Sequence, residues 1–109
     1  MEQKKVFDIL IIGAGAAGLT AAIYSSRYAL DVAIISKDTG GLAATAHKIC
    51  NYPGFEEIPG FELMHKVSEQ AKKLGVKIFN EEVLEIKKKK GLFTLKTSKN
   101  EYFSKKIIF

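Results

Sequence analysis

Apolar and polar positions along the chain fall into two rhythms, and the changes between them mark the elements. Val6 to Ile12 (VFDILII) is apolar except at Asp8 and stops at a glycine, the pattern of a short strand buried on both faces of a parallel sheet. From Ala16 to about Arg27 the side chains become small and helix-tolerant, with Leu19, Ala22, Ile23 and Ser26 at helical spacing. That spacing predicts a helix starting on the third glycine, Gly18. Asp31 to Ser36 (DVAIIS) is a second short apolar run. It completes a strand, helix, strand unit long enough for a parallel crossover, which the packing of twisted strands makes right-handed.

Lys37 to Gly60 carries Gly40-Gly41, Asn51, Pro53-Gly54 and Pro59-Gly60, the turn chemistry of a long ordered loop of the kind that often carries function. Helical spacing returns from Phe61 to Leu74, with Leu63, Val67, Ala71 and Leu74 on one stripe, Lys66, Glu69, Lys72 and Lys73 facing water, and Gly75 as the stop signal. Val76 to Phe79 (VKIF) is predicted as a third parallel strand. Val83 to Ile86, Leu92 to Thr97 and Glu101 to Phe103 alternate and are broken by Gly91 and Ser98-Lys99-Asn100, which predicts an antiparallel meander. Lys106 to Phe109 (KIIF) reads as a further apolar strand that begins as the chain ends.

Composition removes several classes. At 109 residues and 47% hydrophobic content the chain suits one domain with a modest core, so disorder is not the default state. The net charge of +5 attracts anions, but many of the lysines fall in Lys87-Lys88-Lys89-Lys90 and Lys105-Lys106, a local run that is weak evidence for a nucleic-acid face. A single cysteine, Cys50, forms no internal disulfide and no CxxC pair, which points to a reducing, cytoplasmic setting. The opening MEQKK superficially resembles a leader, yet Asp8 and the glycines interrupt the apolar run, and no targeting or membrane-spanning segment is expected.

Between the first strand and helix lies GAGAAG, a GxGxxG spacing. Gly13 lets the chain turn off the strand, Gly15 presents no side chain to a pyrophosphate, and Gly18 lets the helix lie against the sheet. The helix N-terminus then offers unpaired N–H groups and the positive end of its dipole. A bare GxGxxG is common, but here it follows a predicted strand, opens a predicted helix and precedes a second strand, the context the motif needs. NAD sites, and many FAD sites, place an acid at the end of the second strand to hold a ribose hydroxyl; this chain has Ser36-Lys37-Asp38. The fingerprint alone leaves NAD and FAD both open.

Three longer stretches carry a resemblance. FDILIIGAGAAGLTAAIYSSR, GGLAATAHKICNYPGF and GFELMHKVSEQAKKLGVKIFNEEV occur in this order, and together the chain resembles the N-terminal FAD-binding segment of the low-molecular-weight thioredoxin reductases, pyridine nucleotide-disulfide oxidoreductases of class II. The resemblance implies an α/β, Rossmann-like FAD/NAD(P)-binding fold: a parallel sheet with an antiparallel β-meander crossover, incomplete at the C-terminal end. Residues 1–109 would be the N-terminal portion of the FAD-binding domain. By the same resemblance Gly13, Gly15, Ala16, Ala17 and Gly18 would line the pyrophosphate, and Ser36 and Lys37 would neighbour the adenosine ribose. Gly40, Gly41, Leu42 and Asn51 would approach the flavin side, and the backbone of Val83 would face adenine. Leu42 and Ala43-Ala44-Thr45-Ala46-His47 replace the glutamine and threonine-rich stretch of many members, so flavin contacts are expected to be rearranged.

What the resemblance implies for function is electron transfer from NADPH through FAD to a dithiol and on to a thioredoxin-like protein or another acceptor. Family members continue past the position of Phe109 into an Ala-Thr-Gly turn. The family's nicotinamide domain, CxxC pair and closing FAD segment are absent from residues 1–109, and the 109-residue chain is expected not to turn over by itself. The partners of its last strand are expected from those later segments, with exposed apolar surface favouring a homodimer, other self-association or poor solubility. Two further readings stay open: the same scaffold in a ferredoxin-NADP reductase-like flavoprotein without a dithiol, and a stand-alone nucleotide-binding module without turnover. A nucleic-acid binder is least supported, and no nucleic-acid or membrane partner is expected.

The remaining candidates have plainer readings. His47, alone on a loop, is expected to be exposed or structurally bonded rather than a proton donor. His65 sits on the polar part of a helix with no partner at ligand spacing, so no metal site is expected. Cys50 reads as a small, semi-buried residue, Tyr24 and Tyr28 as packing residues, and the lysine run as a solvated hairpin tip. Glu81-Glu82 read as strand neighbours on opposite faces, which makes a poor catalytic dyad.

Overall fold

The structure of the chain, a computed structural model, describes residues 5–109; most of the opening MEQKK lies outside them. The first strand, β1 (Val6–Ala14), runs into α1 (Ala16–Arg27) and then β2 (Val32–Thr39). After a 3-10 turn at Gly41–Thr45 come α2 (Gly60–Lys73), β3 (Lys77–Phe79), β4 (Val83–Lys89), β5 (Leu92–Thr97) and β6 (Glu101–Ile108). Among the described residues six strands form one sheet in the order β3-β2-β1-β6-β5-β4. Strands β1, β2, β3 and β6 are mutually parallel, whereas β4, β5 and β6 pair antiparallel. Among the described residues no helix is long and apolar enough to cross a membrane.

The unbroken apolar runs are explained by cover on both faces. Leu10, Ile11, Ala33, Ile34 and Ile35 have no exposed surface, each larger side chain contributing about 1.5–3 kcal/mol of burial. On one face Ile11, Val32 and Ile34 pack against Leu19 and Ala22 of α1 and Met64 and Ala71 of α2. On the other, Phe7, Leu10, Ala33 and Ile35 pack with Leu95 of β5, flanked by Phe79, Phe93 and Tyr102. The sheet therefore curls until its meander covers its own parallel half. Asp8, the polar interruption, is used at the rim: its carboxylate accepts the Asp31 N–H at 2.7 Å and pairs with Lys105 at 3.3 Å, and these bonds hold it below the usual carboxylate range.

Several expectations change. The two final apolar segments, Glu101–Phe103 and Lys106–Phe109, are one strand, and its partners do not wait for later residues: β6 lies between β1 and β5. A polar Ser104 in its middle hid the continuity; it is fully buried and donates to the Lys106 carbonyl at 2.6 Å. The buried side of α2 runs through Leu63, Met64, Ser68 and Ala71, while Leu74 is 38% exposed at the helix end. Tyr24 and Tyr28 project into solvent instead of packing, and Cys50 is exposed. The loop 37–60 is shorter than expected, because β2 runs on to Thr39 and an Ile49–Ile58 bridge closes a smaller loop. Gly60 lets α2 start against the turn before it: a side chain there would overlap the Ala43 carbonyl oxygen.

The lysine run is a hairpin. Lys89 faces Leu92 across the two-residue turn Lys90-Gly91, both at positive φ, 52° and 78°, the geometry of a type I′ turn. Lysine carries a strain there that asparagine largely escapes. The substitution Lys90→Asn is expected to raise stability by about 0.5–1 kcal/mol. Urea unfolding checks this, and a loss of stability would contradict the turn assignment.

Candidate functional site

All four parallel strands end on the same edge of the sheet, and β1 is where the chain order divides: β2 lies on one side and β6 on the other. Open α/β sheets bind ligands at such a division, outside the carboxyl ends of the strands. Here β1 delivers Gly13 at a φ of 111°, and Gly15 caps α1 with no side-chain hydrogen bond and no acid in the first turn. The first intrahelical bond runs from the Leu19 N–H to the Gly15 carbonyl at 3.0 Å, so the N–H groups of Ala16, Ala17 and Gly18 stand at the open helix end. Ala16 and Ala17 are exposed. A Cβ at Gly18 would overlap the Gly13 carbonyl oxygen, which is how closely α1 approaches the end of β1.

The second glycine pair closes on the first. The Gly40 N–H donates to the Ala14 carbonyl at 2.6 Å, and a Cβ on Gly41 would come within 3.3 Å of the Gly15 Cα. Two loops about 25 residues apart in the chain thus pass backbone to backbone. Beside them the β1–β2 ladder breaks: Ile12 faces Ile35, then Ala14 faces Thr39. Ser36, Lys37 and Asp38 consequently stand opposite Gly13 alone and bulge out at the strand end. Leu42 follows with 89% of its surface exposed, and Asn51 is exposed on the loop closed by the Ile49–Ile58 bridge. The structure brings Gly13, Gly15, Ala16, Ala17, Gly18, Gly40 and Gly41 into one rim with Ser36 and Lys37 at its side, and leaves Leu42 and Asn51 on the outer loop.

Val83 opens β4 opposite Thr97, and what fastens it to this rim is a residue pair read differently from sequence. Glu81 and Glu82 lie in the connection between β3 and β4, not on a strand. The Glu81 N–H donates to the Ser36 carbonyl at 3.1 Å, and Asn80 Nδ2 reaches the same carbonyl and Thr39 Oγ1 at 3.5 and 3.4 Å. The Glu81 side chain, 8% exposed, accepts from Thr97 Oγ1 at 2.5 Å, from the Tyr102 hydroxyl at 2.6 Å and from Asn100 Nδ2 at 3.4 Å. Burial alone pushes this carboxyl up, but the bonds from Thr97, Tyr102 and Asn100 and the charge of Lys99 outweigh it and hold the group below the usual carboxylate range. Burial, the bond to Glu81 and that group's negative charge push Tyr102 up to about 12.

The other candidates stay apart. His47 is exposed; His65 stacks on Phe61 and pairs with Glu69 at 3.8 Å. Among the described residues no group of His, Cys, Asp or Glu is placed to hold a metal ion. A hollow of about 410 Å³ between α1 and α2, walled by Arg27, His65, Lys66, Glu69 and Lys73, lies away from the strand ends, and its walls carry charges of both signs with no common focus. The chemistry of the glycine rim is that of an anion cradle: N–H donors, a helix dipole and no acid in the first turn of α1.

Comparison with known proteins agrees with this geometry. The sequence profile described as Pyridine nucleotide-disulphide oxidoreductase matches residues 7–109. Similar relatives include the thioredoxin reductase of Bacillus subtilis, 39% identical over 109 residues, with 99% of this chain and 34% of the relative covered. That of Borreliella burgdorferi is 43% identical over 113 residues, with 99% and 35% covered. Among solved structures, T. acidophilum thioredoxin reductase superposes with a TM-score of 0.89 at 40% identity, over 95% of this chain and 34% of that one. The chain spans about a third of the length of the curated relatives it matches.

The Glu81–Tyr102 bond has a signature in solution. Glu81 contributes stability above the ordinary carboxylate range, lost as the pH falls through its lowered native value; Tyr102 contributes stability below pH 10, lost as the pH rises through about 12. Subtracting the ultraviolet tyrosinate titration of Tyr102→Phe from that of the parent protein is expected to leave a transition centred at about 12. A difference transition centred near 10 would mean that the bond does not persist in solution.

Proposed function

The chain belongs to the pyridine nucleotide-disulphide oxidoreductase family, and from that membership we propose that it is the FAD-binding portion of a thioredoxin-reductase-like flavoprotein. The observation that carries the reading is the uncapped N-terminus of α1, framed by the touching backbones of Gly15 and Gly41 at the end of β1. These residues fit a pyrophosphate. The rim is built from backbone N–H groups, is free of acids in the first turn, and has no side chain where a phosphate would need to come close.

In this reading the N–H groups of Ala16, Ala17 and Gly18 donate to the pyrophosphate oxygens, while Gly13 and Gly18 hold the loop against β1. The Ser36 hydroxyl and the Lys37 stem lie beside the ribose, and the backbone at Val83 faces the adenine. Gly40, Gly41, Leu42 and Asn51 lead toward the flavin side. When bound, the flavin supplies two-electron redox chemistry linking NADPH to a dithiol, and through it to a thioredoxin-like protein. The chain's own share is to bind, orient and shield. We place the protein in the cytoplasm, since the lone exposed Cys50 suits a reducing compartment.

Gly15 tests the reading without disturbing the fold. Its φ of −84° is ordinary for any residue, and a Cβ there would meet only the Gly41 Cα, at 4.0 Å. The variant Gly15→Ala is therefore expected to keep its melting temperature while losing about tenfold or more in FAD affinity, because the methyl group enters the pyrophosphate's approach. Flavin fluorescence titration of the parent and variant measures this. A parent protein that takes up neither FAD nor ADP would sink the proposal.

A further inference from the structure

Glu81 joins three segments that sequence separation keeps apart. Its backbone N–H holds the Ser36 carbonyl at the end of β2, and its carboxylate holds Thr97 at the end of β5 and Tyr102 on β6. The next residue adds a fourth tie, with the Glu82 carbonyl accepting the Ser98 N–H at 3.0 Å. Val83 follows at once, opposite Thr97 across the ladder. The Tyr102 ring packs at a tilt of 34° against Phe79, the last residue of β3, at 4.9 Å between centroids, so the hydroxyl that meets Glu81 is itself held by packing.

We infer that Glu81 is a positioning residue for the adenosine end of the nucleotide site, fixing the distance between Ser36 on β2 and the β4 start at Val83 through its backbone bond to Ser36 and its carboxylate bonds to Thr97 and Tyr102. The inference rests on the reading of this edge as a nucleotide site. A carboxylate suits the task better than its neutral analogues. Its two oxygens accept from Thr97, Tyr102 and Asn100 together, and bonds to an ionised acceptor are roughly twice as strong as neutral ones. A glutamine offers one such oxygen and turns an NH2 toward a donor. The pyrophosphate cradle at Gly13 to Gly18 is built on β1 and α1 and does not hang from Glu81. The two halves of the site are thus separately supported, and they can be perturbed separately.

The experiment compares ADP with inorganic pyrophosphate as calorimetric probes of the full chain, for the parent protein, Glu81→Gln, Glu81→Ala and Tyr102→Phe, with thermal melting as the check on folding. Glu81→Ala is expected to weaken ADP by about tenfold, with Glu81→Gln intermediate, while pyrophosphate changes by less than about twofold. Tyr102→Phe, which keeps the ring on Phe79 and removes one donor, is expected to weaken ADP by about threefold and carries the test if the alanine variant does not fold. ADP affinity unchanged in the folded variants, or ADP and pyrophosphate weakened equally, overturns the inference. A parent protein that binds neither probe instead overturns the nucleotide reading on which it rests.

Discussion

The closeness of α1 to the end of β1 is the constraint on which the other features of this edge depend. Residue 18 has no room for a methyl group because the Gly13 carbonyl oxygen occupies the space. That contact fixes where the helix begins and where its first three N–H groups point. With the helix placed, the returning chain comes close to its start: Gly41, at a φ of 56°, would bring a Cβ to 3.3 Å from the Gly15 Cα. The Gly40 N–H bonds to the Ala14 carbonyl, so the second loop is anchored to the same strand end as the first. Three short features, a helix start, a turn and a strand end, become one rigid rim through backbone contacts alone.

The other half of the molecule answers a different problem. A parallel sheet of branched residues needs cover on both faces, and the two helices lie on one of them only. The meander supplies the second cover by bending back, so that Leu95, Phe93 and Tyr102 close over Leu10 and Ile35. A bend of this kind brings the connection between β3 and β4 across the sheet. Its polar backbone then needs partners, and Glu81 with Thr97, Asn100 and Tyr102 provides them where the connection meets the meander.

How far this was legible follows from the range of each interaction. The end of α1 at Arg27, the bounds of β5 and the parallel pairing of the first three strands come from periodicity and glycine spacing, which are local; α1 begins at Ala16, two residues before the third glycine. The glycine rim was legible too, because its chemistry is written in residues that lack side chains at fixed offsets. In the sequence Ser104 and Lys105 divide strand β6 into two pieces; the serine is nonetheless buried because its hydroxyl finds backbone carbonyls on its own and the neighbouring strand. Glu81 was read as one of an idle pair, and nothing nearby marks it otherwise. Its partners lie 16 to 21 residues away and become neighbours only once the sheet has curled. A threonine before a turn and a tyrosine after it were the sole hints.

The same network bears on the end of β2, where the chain carries Ser36-Lys37-Asp38. The strand end bulges, with Ser36, Lys37 and Asp38 set against a single residue of β1, and its anchoring is supplied through the Ser36 carbonyl by Asn80 and Glu81. A carboxylate is therefore present beside the strand end, but it is turned inward and saturated by donors from the meander. A ribose at this position, in the reading proposed, would meet a hydroxyl and an ammonium-bearing stem on a backbone held from behind. In that reading the backbone offered to the ribose is held by the second half of the chain and not by the glycine motif in the first.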